Sequence, residues 1–307
     1  MDTDLYELGI SEFTTWPWTF ERDVEHYRRH GVDAIEITEA KLDPSRAGEQ
    51  IALALGASLK IASVQAKIHS LYPTLLQPEP RAAEDRVRHI RASIDLLAPH
   101  LPERTPFVVI TGAPPGGDAD RVLRTARREL AELARYAEAC GMRIALEPLN
   151  PALMNVDSAL WALGDALDVV DDVAHEALGL CVDTWNVWQS PALYETIARA
   201  GERIHLVQVG DWGAPRGYYD RLVPGEGAIP LVPIVAALRS AGYAGPYVVE
   251  LFSSESLPGS LWKADLDGVL DRCIVGFDKI WDAVVRAPGA PEPPANGSHP
   301  AAETARR

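Results

Sequence analysis

Residues 142–150 read MRIALEPLN, a short apolar run that ends on Glu147 and is followed at once by Pro148. Three later stretches have the same form. LGLCVDTWN at 178–186 closes its apolar run on Asp183, RIHLVQVGDW at 203–212 on Gln208, and GPYVVELFS at 245–253 on Glu250. Each run has strand length and is rich in Val, Ile and Leu, as parallel strands covered on both sides are. Each delivers an oxygen-bearing side chain where the chain turns away.

The same alternation extends through the chain. Earlier strands are predicted at 5–13, 34–38, 59–65 and 106–111, and helices at 20–30, 47–56, 82–98, 119–139, 158–173, 191–200, 233–241 and 261–286. Gly31, Gly56 and Gly141 are the expected C-terminal stops, and Asp118 is the expected N-cap of the fourth helix. Eight strands alternating with eight helices, at roughly 30 residues per pair, match βαβ units closed on themselves. The fold class is therefore α/β, a single (β/α)8 TIM barrel over residues 1–286. An open doubly wound sheet is the alternative, but no glycine fingerprint follows the first strand. The Pro/Ala-rich segment 287–307 lacks apolar periodicity and is expected to be a disordered tail.

Composition narrows the function. With 47% hydrophobic and 24% charged residues the 307-residue chain reads as globular, and its net charge of −15 would repel a nucleic-acid backbone. No apolar run approaches the length of a membrane span, and the acidic N-terminus has no leader pattern. Cys140, Cys181 and Cys273 are odd in number and lie in apolar surroundings, so free thiols in a reducing, cytoplasmic compartment are expected.

In an α/β barrel the active site lies at the C-terminal ends of the strands, where the connecting loops are free of the packed interior. Glu147, Asp183, Gln208 and Glu250 end four consecutive strands there. Three carboxylates that close would repel and lose ionisation unless a cation stood between them. All-oxygen ligation favours one hard ion, Mn2+ or Mg2+. The competing reading makes each acid a helix cap or the partner of an arginine.

At this point the chain resembles the xylose isomerase-like TIM-barrel superfamily, the sugar phosphate isomerases and epimerases. The resemblance rests on EPLN at 147–150, VDTWN at 182–186, HLVQVGDW at 205–212, PGEG at 224–227 and GYAGPYVVELF at 242–252. It implies that the four strand-end residues bind the metal. It also implies that Glu147 and Glu250 are the catalytic pair, one removing a proton α to a carbonyl and the other returning it through an enediolate. Gln208 stands in for a commoner histidine, a variant that resembles the one in hydroxypyruvate isomerase. Asn186 stands where many relatives carry a substrate-contacting histidine, which leaves hydrogen bonding but no proton shuttle there.

The resemblance further implies a small-molecule carbohydrate substrate, a sugar or polyol ketone, and allows a homo-oligomer. Isomerisation or epimerisation is the first expectation; β-elimination, as in inosose dehydratases, is the alternative at the same site. A nuclease like endonuclease four would need a histidine-rich zinc cluster, against which the eight scattered histidines and the net charge argue.

Further pocket residues are Glu36, His69, Trp185 and Arg221. Glu36 is open between a paired structural role and a substrate hydroxyl, and His69 between a surface loop and the pocket. Arg221 suits a substrate oxygen, with a salt bridge to Asp220 or Glu226 as the competing account. Trp185 is open between core packing and an aromatic platform for a sugar.

Overall fold

The computed structural model describes residues 5–214 and 219–286 of the chain. The strands are β1 (Leu8–Ser11), β2 (Ala34–Thr38), β3 (Lys60–Gln65), β4 (Pro106–Val109), β5 (Arg143–Leu146), β6 (Leu178–Asp183), β7 (Ile204–Val209) and β8 (Tyr247–Val249). They form a closed barrel in sequence order, every pairing parallel, with β1 hydrogen-bonded to both β2 and β8. The connecting helices are α1 (Phe20–His30), α2 (Ala47–Gly56), α3 (Ala83–Leu97), α4 (Ala119–Ala139), α5 (Leu163–Val173), α6 (Thr184–Val187), α7 (Leu193–Ala200), α8 (Leu231–Ser240) and α9 (Leu266–Arg286). The expected tail lies outside the described residues.

Helix boundaries follow the local chemistry. Thr19 caps α1 by accepting from the Arg22 N–H, and Gly31 ends it in the left-handed region at φ 67°. Asp118 caps α4, as its position predicts, by accepting from the Arg121 N–H at 2.9 Å. Pro233 sits inside the first turn of α8, where its missing N–H is harmless.

Two helices, α5 and α9, begin a full turn or more later than their sequence pattern suggests. Before α5, the Ser158 hydroxyl donates to the Leu160 carbonyl, and Thr111 Oγ1 takes the Ala159 N–H at 2.9 Å. These bonds hold a tight turn in which Asn155 has φ 66°, so the helix starts only at Leu163. Leu261–Lys263 forms one 3-10 turn, and the extended Ala264 separates it from α9.

The barrel interior is layered by the period of the strands. Ala34, Ala62, Val108, Ala145, Cys181, Leu206 and Val248 pack together as a small cluster separate from the main core. Moving two residues toward the C-terminal end of β2, β5, β6, β7 and β8 gives Glu36, Glu147, Asp183, Gln208 and Glu250, all buried. A plug of small apolar side chains thus floors a polar layer at the mouth. The larger core lies between strands and helices, with Ile10, Ile35, Phe107, Leu146 and Val207 fully buried against helix residues such as Ile51, Ile90, Leu130 and Phe277.

One glycine tests how tightly the loops are seated. Gly112, just after β4, has φ 77°, and a Cβ there would lie 2.0 Å from the Tyr72 carbonyl oxygen. Gly112→Ala is expected to cost about 3 kcal/mol through left-handed strain plus the backbone clash. The urea unfolding midpoint reads this directly, and an unchanged midpoint would show that the loop is free to move.

Candidate metal centre

Glu147 and Glu250 stand one residue beyond β5 and β8, while Asp183 is the last residue of β6. The three carboxylates offer oxygens that all lie within 4.8 Å of one another, and all three side chains are buried. Asp183 also caps the one-turn helix α6 by accepting from the Trp185 N–H at 3.0 Å. The turn places Asn186 beneath the cluster. Its amide donates to Glu147 Oε1 and Asp183 Oδ2, both at 2.7 Å, and its own oxygen takes the Asn150 N–H at 2.8 Å. Asn186 therefore bridges two of the acids.

Arg221 enters from the β7–α8 connection and supplies positive charge. Its guanidinium bonds Asp183 Oδ2 at 2.8 Å and Glu250 Oε2 at 2.7 Å, and donates to the Glu250 carbonyl at 3.0 Å. It lies 5.1 Å from the Trp185 ring and 5.4 Å from the Phe252 ring, cation–π distances on both sides. Of the two partners its sequence neighbourhood offered, Asp220 accepts from the Ser253 hydroxyl at 2.6 Å, and Glu226 pairs with Arg272 on α9.

Gln208 neighbours Asp183 in the β6–β7 register. Its amide nitrogen donates to both Glu36 oxygens at 3.0 Å, and its Oε1 receives the Cys181 thiol at 3.0 Å. Glu36 also accepts from the Ser63 hydroxyl at 2.6 Å, so the structure gives it a paired role inside the barrel. Gln65, at the end of β3, donates to Glu250 Oε1 at 3.3 Å. Gln65 joins this layer and Cys181 lies just beneath it in the apolar floor; neither was named as a site residue from the sequence. Parity could have placed Cys181, two residues before Asp183 on the same strand, but not Gln65, three residues after Ala62 where the β2–β3 register shifts.

His69 makes a local contact: Nδ1 meets the Ala66 carbonyl at 3.0 Å, and burial pushes its pKa down. Among the described residues it has no hydrogen bond to the carboxylates. Trp185 is buried, and its indole N–H has no hydrogen-bond partner among the described residues. Cys181 and Cys273 are buried and Cys140 partly buried, all as free thiols.

The electrostatics are those of too many acids for one counter-charge. Burial, and then the neighbouring Asp183 charge, push Glu147 up to about 8. Burial likewise raises Glu36, Asp183 and Glu250, the Arg221 charge opposing it at Asp183 and Glu250. A cluster of buried carboxyls with a single guanidinium keeps protons unless another cation joins it. The donor set, all oxygen and converging within 4.8 Å, fits one divalent ion.

A pH dependence follows. Between the ordinary carboxylate value and about 8, folded Glu147 holds a proton that the unfolded chain releases. Raising the pH through that window therefore favours unfolding. The metal-free protein is expected to melt several degrees lower at about pH 8.5 than at about pH 6. Saturating Mn2+ is expected to remove most of that fall, because the ion replaces the protons. A melting temperature flat over this range would contradict the charge description.

Comparison with known proteins agrees with the barrel. The sequence model of the xylose isomerase-like TIM barrel family matches residues 24–273. A D-psicose 3-epimerase of Enterocloster bolteae is 30% identical over 137 residues, 44% of this chain and 41% of that protein. A fructoselysine 3-epimerase of Escherichia coli O157:H7 is 31% identical over 174 residues, 56% of this chain and 57% of that protein. The chain thus matches these curated relatives over only about half of their length. A solved protein from Sinorhizobium meliloti 1021 superposes with a TM-score of 0.78 at 26% identity, covering 89% of this chain and 98% of that one. A solved IolI protein with a bound zinc atom superposes at 0.74 with 19% identity, covering 92% and 100%. No helix among the described residues is long and apolar enough to cross a membrane.

Proposed function

The chain belongs to the xylose isomerase-like TIM barrel family, and from that premise we propose that it is a divalent-metal-dependent isomerase or epimerase of a sugar or polyol ketone. The observation that carries the reading is the convergence of Glu147, Asp183 and Glu250 at the mouth, with Arg221 paired to Asp183 and Glu250. The names of the matched relatives, D-psicose 3-epimerase, inosose isomerase and fructoselysine 3-epimerase, support the substrate class.

Glu147, Asp183 and Glu250 would hold the ion, with Gln208 Oε1 as fourth donor once it leaves the Cys181 thiol, a weak hydrogen bond to give up. The oxygen donors favour Mn2+ or Mg2+. A bound ion would supply positive charge that lowers the cost of negative charge on a nearby substrate oxygen.

The residues of the chain divide the remaining work. Glu147 and Glu250 are the general base and acid: one takes the proton from the carbon next to the carbonyl, and the other delivers a proton to the product carbon. Asn186 orients Glu147 and Asp183 by its paired donations, and Gln65 and Arg221 orient Glu250. The buried indole N–H of Trp185, without a hydrogen-bond partner among the described residues, is a donor for a substrate hydroxyl, and Arg221 beside it holds the Asp183 and Glu250 carboxylates in place.

The test is incubation with Mn2+ and a panel of keto-sugars in D2O, followed by mass spectrometry. Isomerisation or epimerisation is expected to give product of substrate mass plus incorporated deuterium. Loss of a substituent would make the enzyme a lyase, and no deuterium exchange with any keto-sugar would overturn the reading.

A further inference from the structure

A second set of donors lies on the outer ring of helices, where α1 packs beside α9. His26 and His30 stand one turn apart on α1, and Asp267 and Asp271 one turn apart on α9, so each pair shares a helix face. His26 Nδ1 lies 2.6 Å from Asp267 Oδ1, and His30 Nε2 lies 2.8 Å from the same oxygen. His30 Nδ1 lies 2.8 Å from Asp271 Oδ1. The two histidine side chains are only 11% and 12% exposed, and the His26 ring is held against Trp18 at 4.2 Å between centroids.

Both nitrogens of His30 face carboxylates, and a neutral imidazole has one N–H. If Asp271 takes the Nδ1 hydrogen, Nε2 presents its lone pair toward Asp267. That is the tautomer and orientation of a metal-ligating histidine with a carboxylate behind it. We propose that His26 Nδ1, His30 Nε2 and an Asp267 oxygen form a binding site for a zinc-class divalent ion, clipping the first helix of the barrel ring to the last. Ligand atoms of the three residues lie within 4.8 Å of one another. Two imidazoles and a carboxylate suit Zn2+ with water in the fourth position, and differ from the oxygen donors at the mouth.

Arg29 occupies part of this space, since its guanidinium bonds Asp267 and lies 3.0 Å from His26 Nδ1. Its side chain is 54% exposed, so it swings into solvent without leaving a buried charge behind. The location gives the clip a purpose. His26 and Asp267 are 241 residues apart in the chain, and β1 pairs with β8 beside them, so a cross-link there fastens the seam at which the barrel closes.

The test uses the full chain and two probes, Co2+ and Zn2+. With Co2+ bound, proton spectra of the wild-type chain are expected to show two solvent-exchangeable, strongly shifted imidazole N–H signals, which ligands at Glu147, Asp183 and Glu250 cannot produce. The signals are expected to persist in Glu147→Gln/Asp183→Asn and to vanish in His26→Gln/His30→Gln. Asp271→Ala, which leaves the ligands in place, is expected to weaken Zn2+ binding by about tenfold in a chelator competition. Absence of the shifted signals in the Co2+-loaded wild-type chain would overturn the site, as would signals that survive loss of both histidines.

Discussion

Glu147→Gln and Glu250→Gln are each expected to lower turnover by about a thousandfold, the range associated with losing a positioned general acid or base. The measurement is the rate of product formation with saturating Mn2+, followed beside deuterium exchange into recovered substrate. Glutamine keeps an oxygen for the ion, and Asn186 and Arg221 keep acceptors to bond, so circular dichroism and metal content are expected to stay near wild type. The two variants should also fail differently in the product. Reversible proton transfer by the remaining carboxyl allows residual substrate exchange in one variant and not in the other, which identifies the base. Activity within about tenfold of wild type in either variant would remove that glutamate from proton transfer.

Arg221→Met is expected to destabilise the metal-free protein by about 3–5 kcal/mol, the cost of breaking a buried ion pair from one side. Asp183 and Glu250 each lose a contact of under 3 Å to the guanidinium and have no other cation so near among the described residues. Because the lost charge is the same quantity that a divalent ion supplies, Mn2+ is expected to restore much of the difference in melting temperature. A surface ion pair would give a loss below about 1 kcal/mol and no coupling to metal. Chemical denaturation with and without Mn2+ separates the two cases. A metal-independent loss would mean that Arg221 serves packing against Trp185 and Phe252 rather than charge.

Much of this arrangement is legible in the sequence because strands repeat every two residues. Ala145 and Glu147, Cys181 and Asp183, Leu206 and Gln208, and Val248 and Glu250 are each two apart, so an apolar floor and a polar mouth follow from parity alone once the strands are placed. The barrel itself follows from the number and spacing of the Val/Ile/Leu runs. Contacts made across the barrel are not legible in that way. Gln208 and Glu36 meet although 172 residues separate them, and nothing local to either selects the other. Arg221 is similar: Asp220 and Glu226 stand near it in sequence, and closure of the barrel delivers Asp183 and Glu250 to it. The late start of α5 was hidden for another reason. Ser158 and Thr111 form a side-chain turn whose partners are 47 residues apart, and helical periodicity carries no trace of it.

The same distinction explains the two metal readings. The mouth site shows in sequence because each of its acids ends a recognisable strand. The α1–α9 donors show only in three dimensions, since an i, i+4 histidine pair and an i, i+4 aspartate pair are ordinary on solvent-facing helices until packing opposes them.

The central claim is that Glu147, Asp183 and Glu250 are gathered by barrel closure to hold one hard divalent ion. Anomalous diffraction from crystals soaked in Mn2+ tests it most directly. A single peak within bonding distance of those three carboxylates is the expected result; a map of the soaked protein with no peak between them would contradict the account.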